Sequence, residues 1–241
     1  MRVYALVPAR SGSKSIPDKN LQLLGGHSLM AHAIAFGRKL GVDRVLVSTD
    51  SERYRALALE YGAECPVLRS AEASNDAAMD EATLADLDRT LPGAGVELPD
   101  IWVWLKPTSP FRSVEAVRQG MAILATRSDI DSVRLVTRGE GRLQTIDGDG
   151  LLHPWTPGWD PTLSKIPRTQ LPKLYWTYNV DIFRHAGWRA RGAFYTGARS
   201  LAIVCPSITG LDINSHEDLE LIRSLVDAQP RADIVTRHLA L

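Results

Sequence analysis

The sequence predicts an α/β protein: a single domain over residues 1–241, with a mainly parallel twisted sheet flanked by helices and an arm protruding at about 139–175. Three observations carry that expectation. Short apolar runs at Val3–Val7, Val42–Thr49 and Ile101–Leu105 have the length of buried strands. Helix-period segments lie between them, an alternation that calls for parallel strands joined by right-handed crossovers. Polar, small-residue loops follow the strand ends, where α/β sheets bind ligands.

The elements follow in order. After the first strand, Ser28–Leu40 places Leu29, Ala33, Ile34, Phe36 and Leu40 at helical spacing and stops at Gly41. The second strand ends at Asp50, and Asp50-Ser51 caps a helix to about Tyr61, closed by Gly62. Cys65–Leu68 reads as a third short strand and Arg69–Asp76 as a polar loop, followed by a helix from about Ala78 to Leu91. Pro92–Pro99 is a Gly/Pro connection too short to be a domain linker. Ile101–Leu105 is the most apolar strand, and Ser113 caps the helix behind it, to about Thr126. Asp131–Thr137 gives another strand. From Gly139 to Lys173 periodicity fades, and TIDGDGLLHPW suggests a hairpin with a D-G turn on an excursion from the sheet. Its Trp155 and Trp159 favour a dimer contact. Tyr175–Phe183 and Leu201–Cys205 return to strand, and Ser215–Val226 is a helix with a Ser-His-Glu-Asp start.

Composition narrows the class. Lys and Arg number 28 and Asp and Glu number 28, so no global charge draws the chain to nucleic acid or to an anionic membrane. Anion binding must then be local. Apolar residues are 44% and charged residues 23%, ordinary values for a packed core rather than a disordered chain. Cys65 and Cys205 are far apart and lack metal-ligand spacing, so a reducing cytoplasm is the expected compartment. The six histidines form no closely spaced pair, and no G-x-S-x-G elbow or C-x-x-C appears. Serine acyl transfer and zinc chemistry therefore have no support. No stretch has the length of a membrane span or the form of a signal peptide.

Chemistry-bearing residues collect at four places. The first is the loop after the first strand, with Arg10, Ser11, Gly12, Ser13, Lys14, Lys19 and Asn20. Its small residues let backbone N–H groups turn towards an anion while three cations within ten residues offset the anion's charge. A P-loop is excluded: Gly12 is followed by Ser13, no glycine lies upstream, and Pro17 blocks the route to a helix. A triphosphate loop of another kind remains, beside the plainer reading of a basic surface turn. The second place is Arg69 with Asp76. The third is the run from Lys106 through Thr108 and Ser109 to Arg112, directly after an apolar strand. The fourth is Asp212-Ile213-Asn214. On a parallel sheet these loops gather on one edge and form one cleft. Asp212 is the best candidate for a hard-metal ligand, with helix capping or a simple turn as the competing explanation.

The run PARSGSKSIPDKNLQLLGGHSLMAHAI resembles the opening of the acylneuraminate cytidylyltransferases in its order of Arg, Gly-Ser-Lys, Lys-Asn and then G-x-x-L. LKPTSPFR is similar to that family's LQPTSPLR. The stretch from Ser48 to Ala78, IPRTQLPKLYWTYNVDIF and DINSHEDL are looser matches. The resemblance implies a nucleotide-diphospho-sugar transferase-like fold and a Mg²⁺-dependent transfer of CMP from CTP to an acidic nine-carbon sugar. By position it puts Arg10, Ser11, Gly12, Ser13, Lys14, Lys19 and Asn20 on the triphosphate, and Arg69 and Asp76 on the base and ribose. Lys106, Thr108, Ser109, Arg112, Lys165, Arg168, Gln170 and Asn179 fall on the sugar, and Asp212 with Asn214 on Mg²⁺. It also implies a homodimer whose arm reaches into the partner subunit.

Four positions depart from the family pattern. Lys106 replaces a Gln, Leu171 an Asp, Val180 a Gly, and Asn214 a second metal-binding Asp. The Lys106 cation admits an alternative: guanylyl or cytidylyl transfer to a different sugar or a sugar 1-phosphate. Asn214 admits a non-catalytic nucleotide-sugar binder.

Overall fold

The computed structural model describes residues 1–75, 78–139, 144–155, 167–170, 173–177, 180–192, 199–228 and 233–241, with Pro154, Arg168, Asp233 and Ile234 described by their backbone only. The expected sheet is present. Strand β1 (Val3–Pro8) leads through a small Gly-Gly hairpin, β2 (Leu23–Leu24) and β3 (His27–Ser28), into helix α1 (Leu29–Leu40). Then come β4 (Arg44–Ser48), α2 (Glu52–Glu60), α3 (Ala71–Ser74), α4 (Asp80–Thr90), β5 (Ile101–Trp104), α5 (Val114–Thr126) and β6 (Ser132–Arg138). An exposed hairpin, β7 (Gln144–Ile146) and β8 (Leu152–Pro154), precedes β9 (Tyr175–Trp176), β10 (Asp181–Arg184), α6 (His185–Arg191), β11 (Ser200–Cys205), α7 (His216–Asp227) and α8 (Asp233–His238).

The main sheet runs β11-β6-β10-β5-β1-β4, with β9 continuing alongside β6. β4, β1 and β5 are parallel to one another, as are β6 and β11. β10 runs antiparallel to both β5 and β6, so Asp181 at its start lies opposite Trp104 at the end of β5. Alternation within β1 sends Ala5 and Val7 into a cluster under α1 and α5, and Tyr4 and Leu6 into another with Trp102, Trp104, Leu84 and Leu87. With both faces covered, the strands read as unbroken apolar runs. The helix starts are as local chemistry dictates: Ser28, Ser51, Ser113 and Ser215 each accept a hydrogen bond from a first-turn amide. Gly120 lets α5 lie close to β10, since a Cβ there would come 2.4 Å from Ile182 Cδ1.

Several expectations are corrected. Cys65–Leu68 forms no strand; an isolated bridge between Leu46 and Glu64 is what pairs there. Pro66 interrupts the run and has no N–H for a ladder. Of the Asp50-Ser51 pair, Ser51 is the residue that caps α2. The polar loop at 69–76 contains the short helix α3. Tyr175–Phe183 divides into β9 and β10, both antiparallel to β6. Helices α6 and α8 and the β2–β3 hairpin carried no recognised signal, although Gly25-Gly26 is a two-residue turn of the hairpin type. Among the described residues no helix is long and apolar enough to cross a membrane.

Candidate active site

The C-terminal ends of β1, β4 and β5 share one edge of the sheet, and each passes into a polar loop. An apolar cluster beneath them joins Ile16 from the first loop, Phe111 from the 106–112 loop and Ile213 from the 211–214 segment to Leu219 and Ile222 of α7. Each of the three loops thus drives one apolar side chain into a shared core, which holds their polar residues against one another. Above it opens a cleft of about 420 Å³. Arg10, Ser13, Lys14, Lys19 and Asn20 of the first loop line it together with Arg69, Asp80, Thr83, Lys106 and Thr108.

The first loop is braced at several points. Arg10 donates from Nη1 to the Ser74 carbonyl at 3.2 Å, and buried Asn20 donates from Nδ2 to the Arg10 carbonyl at 3.0 Å. Lys14 is exposed. Lys19 Nζ reaches across to the carbonyls of Ile213 (3.1 Å) and Asn214 (3.4 Å), tying the first loop to the fourth. Burial lowers its pKa, against the opposing carboxylates of Asp212 and Asp218. Ser11 differs from expectation: its amide and hydroxyl both donate to the Asp50 carboxylate, at 2.7 and 3.0 Å, so that N–H is engaged inside the protein. Gly12 has φ of +69° and open space around its Cα, so conformation rather than clearance calls for glycine.

Also lining the cleft, buried Arg69 donates to Ser48 through Nε (to Oγ, 2.9 Å) and Nη2 (to the carbonyl, 2.7 Å). Burial lowers its pKa, with Asp50, Asp80 and Asp86 opposing. Lys106 pairs with Asp80 at 2.7 Å. Burial works against the lysine's charge, but Asp80 outweighs it with help from Asp181 and Asp212, and the net pKa is raised. Ser109 donates its hydroxyl to Asp212 Oδ1 at 2.9 Å, and the Ile213 amide donates to the Thr108 carbonyl at 3.0 Å. The third and fourth loops are therefore locked together.

Asp212 accepts from the Ser109 hydroxyl at Oδ1, while Asn214 is exposed and its backbone N–H donates to Asp218. One carboxylate with a neighbouring amide oxygen suits Mg²⁺, which takes one or two carboxylates and completes its shell with substrate phosphates and water. No group of three or more His, Cys, Asp or Glu side chains suited to a metal occurs among the described residues.

Arg112 is a correction. Instead of facing the cleft it is buried, with Nη2 donating to the Lys106 carbonyl and its guanidinium 5.4 Å over the Phe36 ring. Asp76, Lys165 and Asn179 lie outside the described residues. Arg168 and Gln170 belong to a short 3-10 turn, Arg168–Gln170. Two acidic residues escaped the sequence reading. Asp80 was lost in an ordinary helix start. Asp181, buried and paired with Arg134, had a signal: a carboxylate between Val180 and Ile182 in an apolar strand. Burial raises its pKa, with Arg134 opposing.

Comparison with known proteins agrees with this geometry. The cytidylyltransferase family profile matches residues 4–92. The chain is 35% identical over 154 residues to a Legionella pneumophila protein named CMP-N,N'-diacetyllegionaminic acid synthase, covering 63% of this chain and 66% of that one. It is 28% identical over 237 residues to an Escherichia coli N-acylneuraminate cytidylyltransferase, covering 97% of this chain and 54% of that one. The chain thus spans between about half and two thirds of these relatives' length. The solved structure of a CMP:2-keto-3-deoxy-manno-octonic acid synthetase with CTP shares its fold, with a TM-score of 0.67 and 13% identity over 93% of this chain and 98% of that one. On these findings the chain is similar to the cytidylyltransferases.

Proposed function

We propose that this protein transfers CMP from CTP to the anomeric hydroxyl of an acidic nonulosonic-type sugar and releases pyrophosphate. The observation that supports it best is the tie from the cationic first loop to the Asp212 segment, made by Lys19 on the edge of one cleft. Arg10, Lys14 and Lys19 fit the triphosphate, which carries the charge they balance. Arg69 and Asp76 take the base and ribose in this reading, and Lys106, Thr108, Ser109, Lys165, Arg168, Gln170 and Asn179 the sugar. Asp212, with Asn214 beside it, would hold Mg²⁺, which when bound supplies positive charge against the phosphate oxygens. The chain's own contribution is positioning and electrostatic stabilisation: the sugar hydroxyl is held in line with the α-phosphate, and Arg10 and Lys14 offset charge on the departing pyrophosphate.

The alternative acceptor, a sugar 1-phosphate, drew its support from Lys106 as a spare cation. That support weakens, because Asp80 already matches the lysine's charge. We further propose that the protein works in the cytoplasm as a homodimer joined through the β7–β8 arm. Pyrophosphate release, assayed with each nucleoside triphosphate against nonulosonic acids and sugar 1-phosphates, tests the reading. Turnover is expected with CTP and a nonulosonic acid, and Lys14→Ala should lower kcat/KM by about 10²–10³-fold. Turnover confined to sugar phosphates would reject the proposal, as would CTP binding without turnover in any combination.

A further inference from the structure

Arg112 breaks the usual rule for a core side chain. It is 1% exposed, yet its Nε and Nη1 have no hydrogen-bond partner among the described residues. Burying a cation with donors unmet opposes folding, and arginine is almost never fully buried without a paired anion. Desolvation pushes its pKa down to about 9, with the Asp212 carboxylate opposing. Packing alone does not call for a charge here: the Phe36 ring face beside it would accept a flexible apolar chain equally well.

What the guanidinium does accomplish is local to the cleft. Nη2 donates to the Lys106 carbonyl, closing the 106–112 loop from end to end, while the Arg112 amide donates to the His238 carbonyl at 2.8 Å and fixes the loop's exit. The same loop presents Lys106 to Asp80 and Ser109 to Asp212. We propose that Arg112 is a positioning residue, retained at a cost in stability, whose clamp on the Lys106 carbonyl and charge behind Asp212 hold the 106–112 loop in the geometry that transfer requires. Its activity readout rests on the function proposed above; its structural readouts do not.

Arg112→Met and Arg112→Lys test this in the full chain. Arg112→Met should melt at or above the wild-type temperature, because it relieves an unmatched buried charge. Amide exchange at Ser109 and Ile213, whose N–H groups donate to the carbonyls of Lys106 and Thr108, should quicken by about tenfold or more, with β1 and β5 unchanged. Its kcat/KM should fall by about a hundredfold, with Kd for CTP nearly constant. Arg112→Lys keeps the cation without the planar fork and should fall between the two. A lower melting temperature, with activity falling only as the folded fraction falls, would overturn the proposal. Unchanged exchange at Ser109 and Ile213 would do the same. If the wild type transfers no cytidylyl group, the function above is lost, while melting and exchange still decide the role of Arg112.

Discussion

Asp18 has φ of +47°, and no other non-glycine residue has a positive φ among those described. Aspartate tolerates the left-handed region better than most residues, but single visits still need outside support. Here the Tyr54 hydroxyl donates to Oδ1 at 2.9 Å and Arg53 to Oδ2 at 3.0 Å, so α2 holds the turn that presents Lys19 to the cleft. The Tyr54 hydroxyl first, and then Arg53, lower the Asp18 pKa. A carboxyl whose folded pKa is depressed adds stability above its unfolded value and loses it as pH falls through the folded one. Asp18→Asn, which keeps the left-handed preference without the charge, should therefore lose less melting temperature than wild type between about pH 5 and pH 3. Parallel acid limbs for the two proteins would remove Asp18 from the account. The cations of this loop were legible in the sequence because their density after a buried strand is unusual. Their restraints were not, because Ser74 and Asn214 meet Arg10 and Lys19, and Tyr54 meets Asp18, only after the chain folds.

The three site loops are positioned by apolar side chains at the element level. Ile16, Phe111 and Ile213 are each fully buried in one cluster with α7, so the loops behave as one packed unit. Ile213→Ala should cost about 2–4 kcal/mol in denaturant unfolding and raise KM for both substrates, since it loosens the Lys19 and Asp212 contacts together. Leu124→Ala, in α5 and packed in the cluster with Ala5 and Val7, should cost a similar amount with KM unchanged. Equal KM changes in the two variants would show that the cluster supports the fold without aligning the loops. The caps at Ser51, Ser113 and Ser215 were legible because capping is a matter of adjacent residues, and the capping box of Ser215 and Asp218 is the fullest case. Reading Cys65–Leu68 as a strand failed because a short apolar run cannot show whether a partner's donors and acceptors face it.

For the whole molecule, the exposed hairpin carries Ile146, Leu152 and Trp155, the last 65% exposed, on an arm outside the sheet. Large apolar side chains grouped in this way fit a contact between copies. Wild-type protein should sediment as a dimer and Trp155→Asp as a monomer, with stability changed by no more than about 0.5 kcal/mol at an exposed site. A monomeric wild type would refute the arm's role. The sequence by itself determined the strands β1, β4, β5, β6 and β11 with helices α1, α2, α4, α5 and α7, the caps at Ser51, Ser113 and Ser215, and the cationic, Pro-Thr-Ser-Pro and Asp212 loops that follow strands. It could do so because doubly covered strands are continuous apolar runs and caps are local chemistry. Only the tertiary structure decided that β10 runs against its neighbours and brings Asp181 to the site edge, that Asp80 takes the charge of Lys106, and that Arg112 turns inward. Each of these depends on contacts between residues far apart in the chain, whose pairing is fixed by the register of the sheet and the packing of its loops.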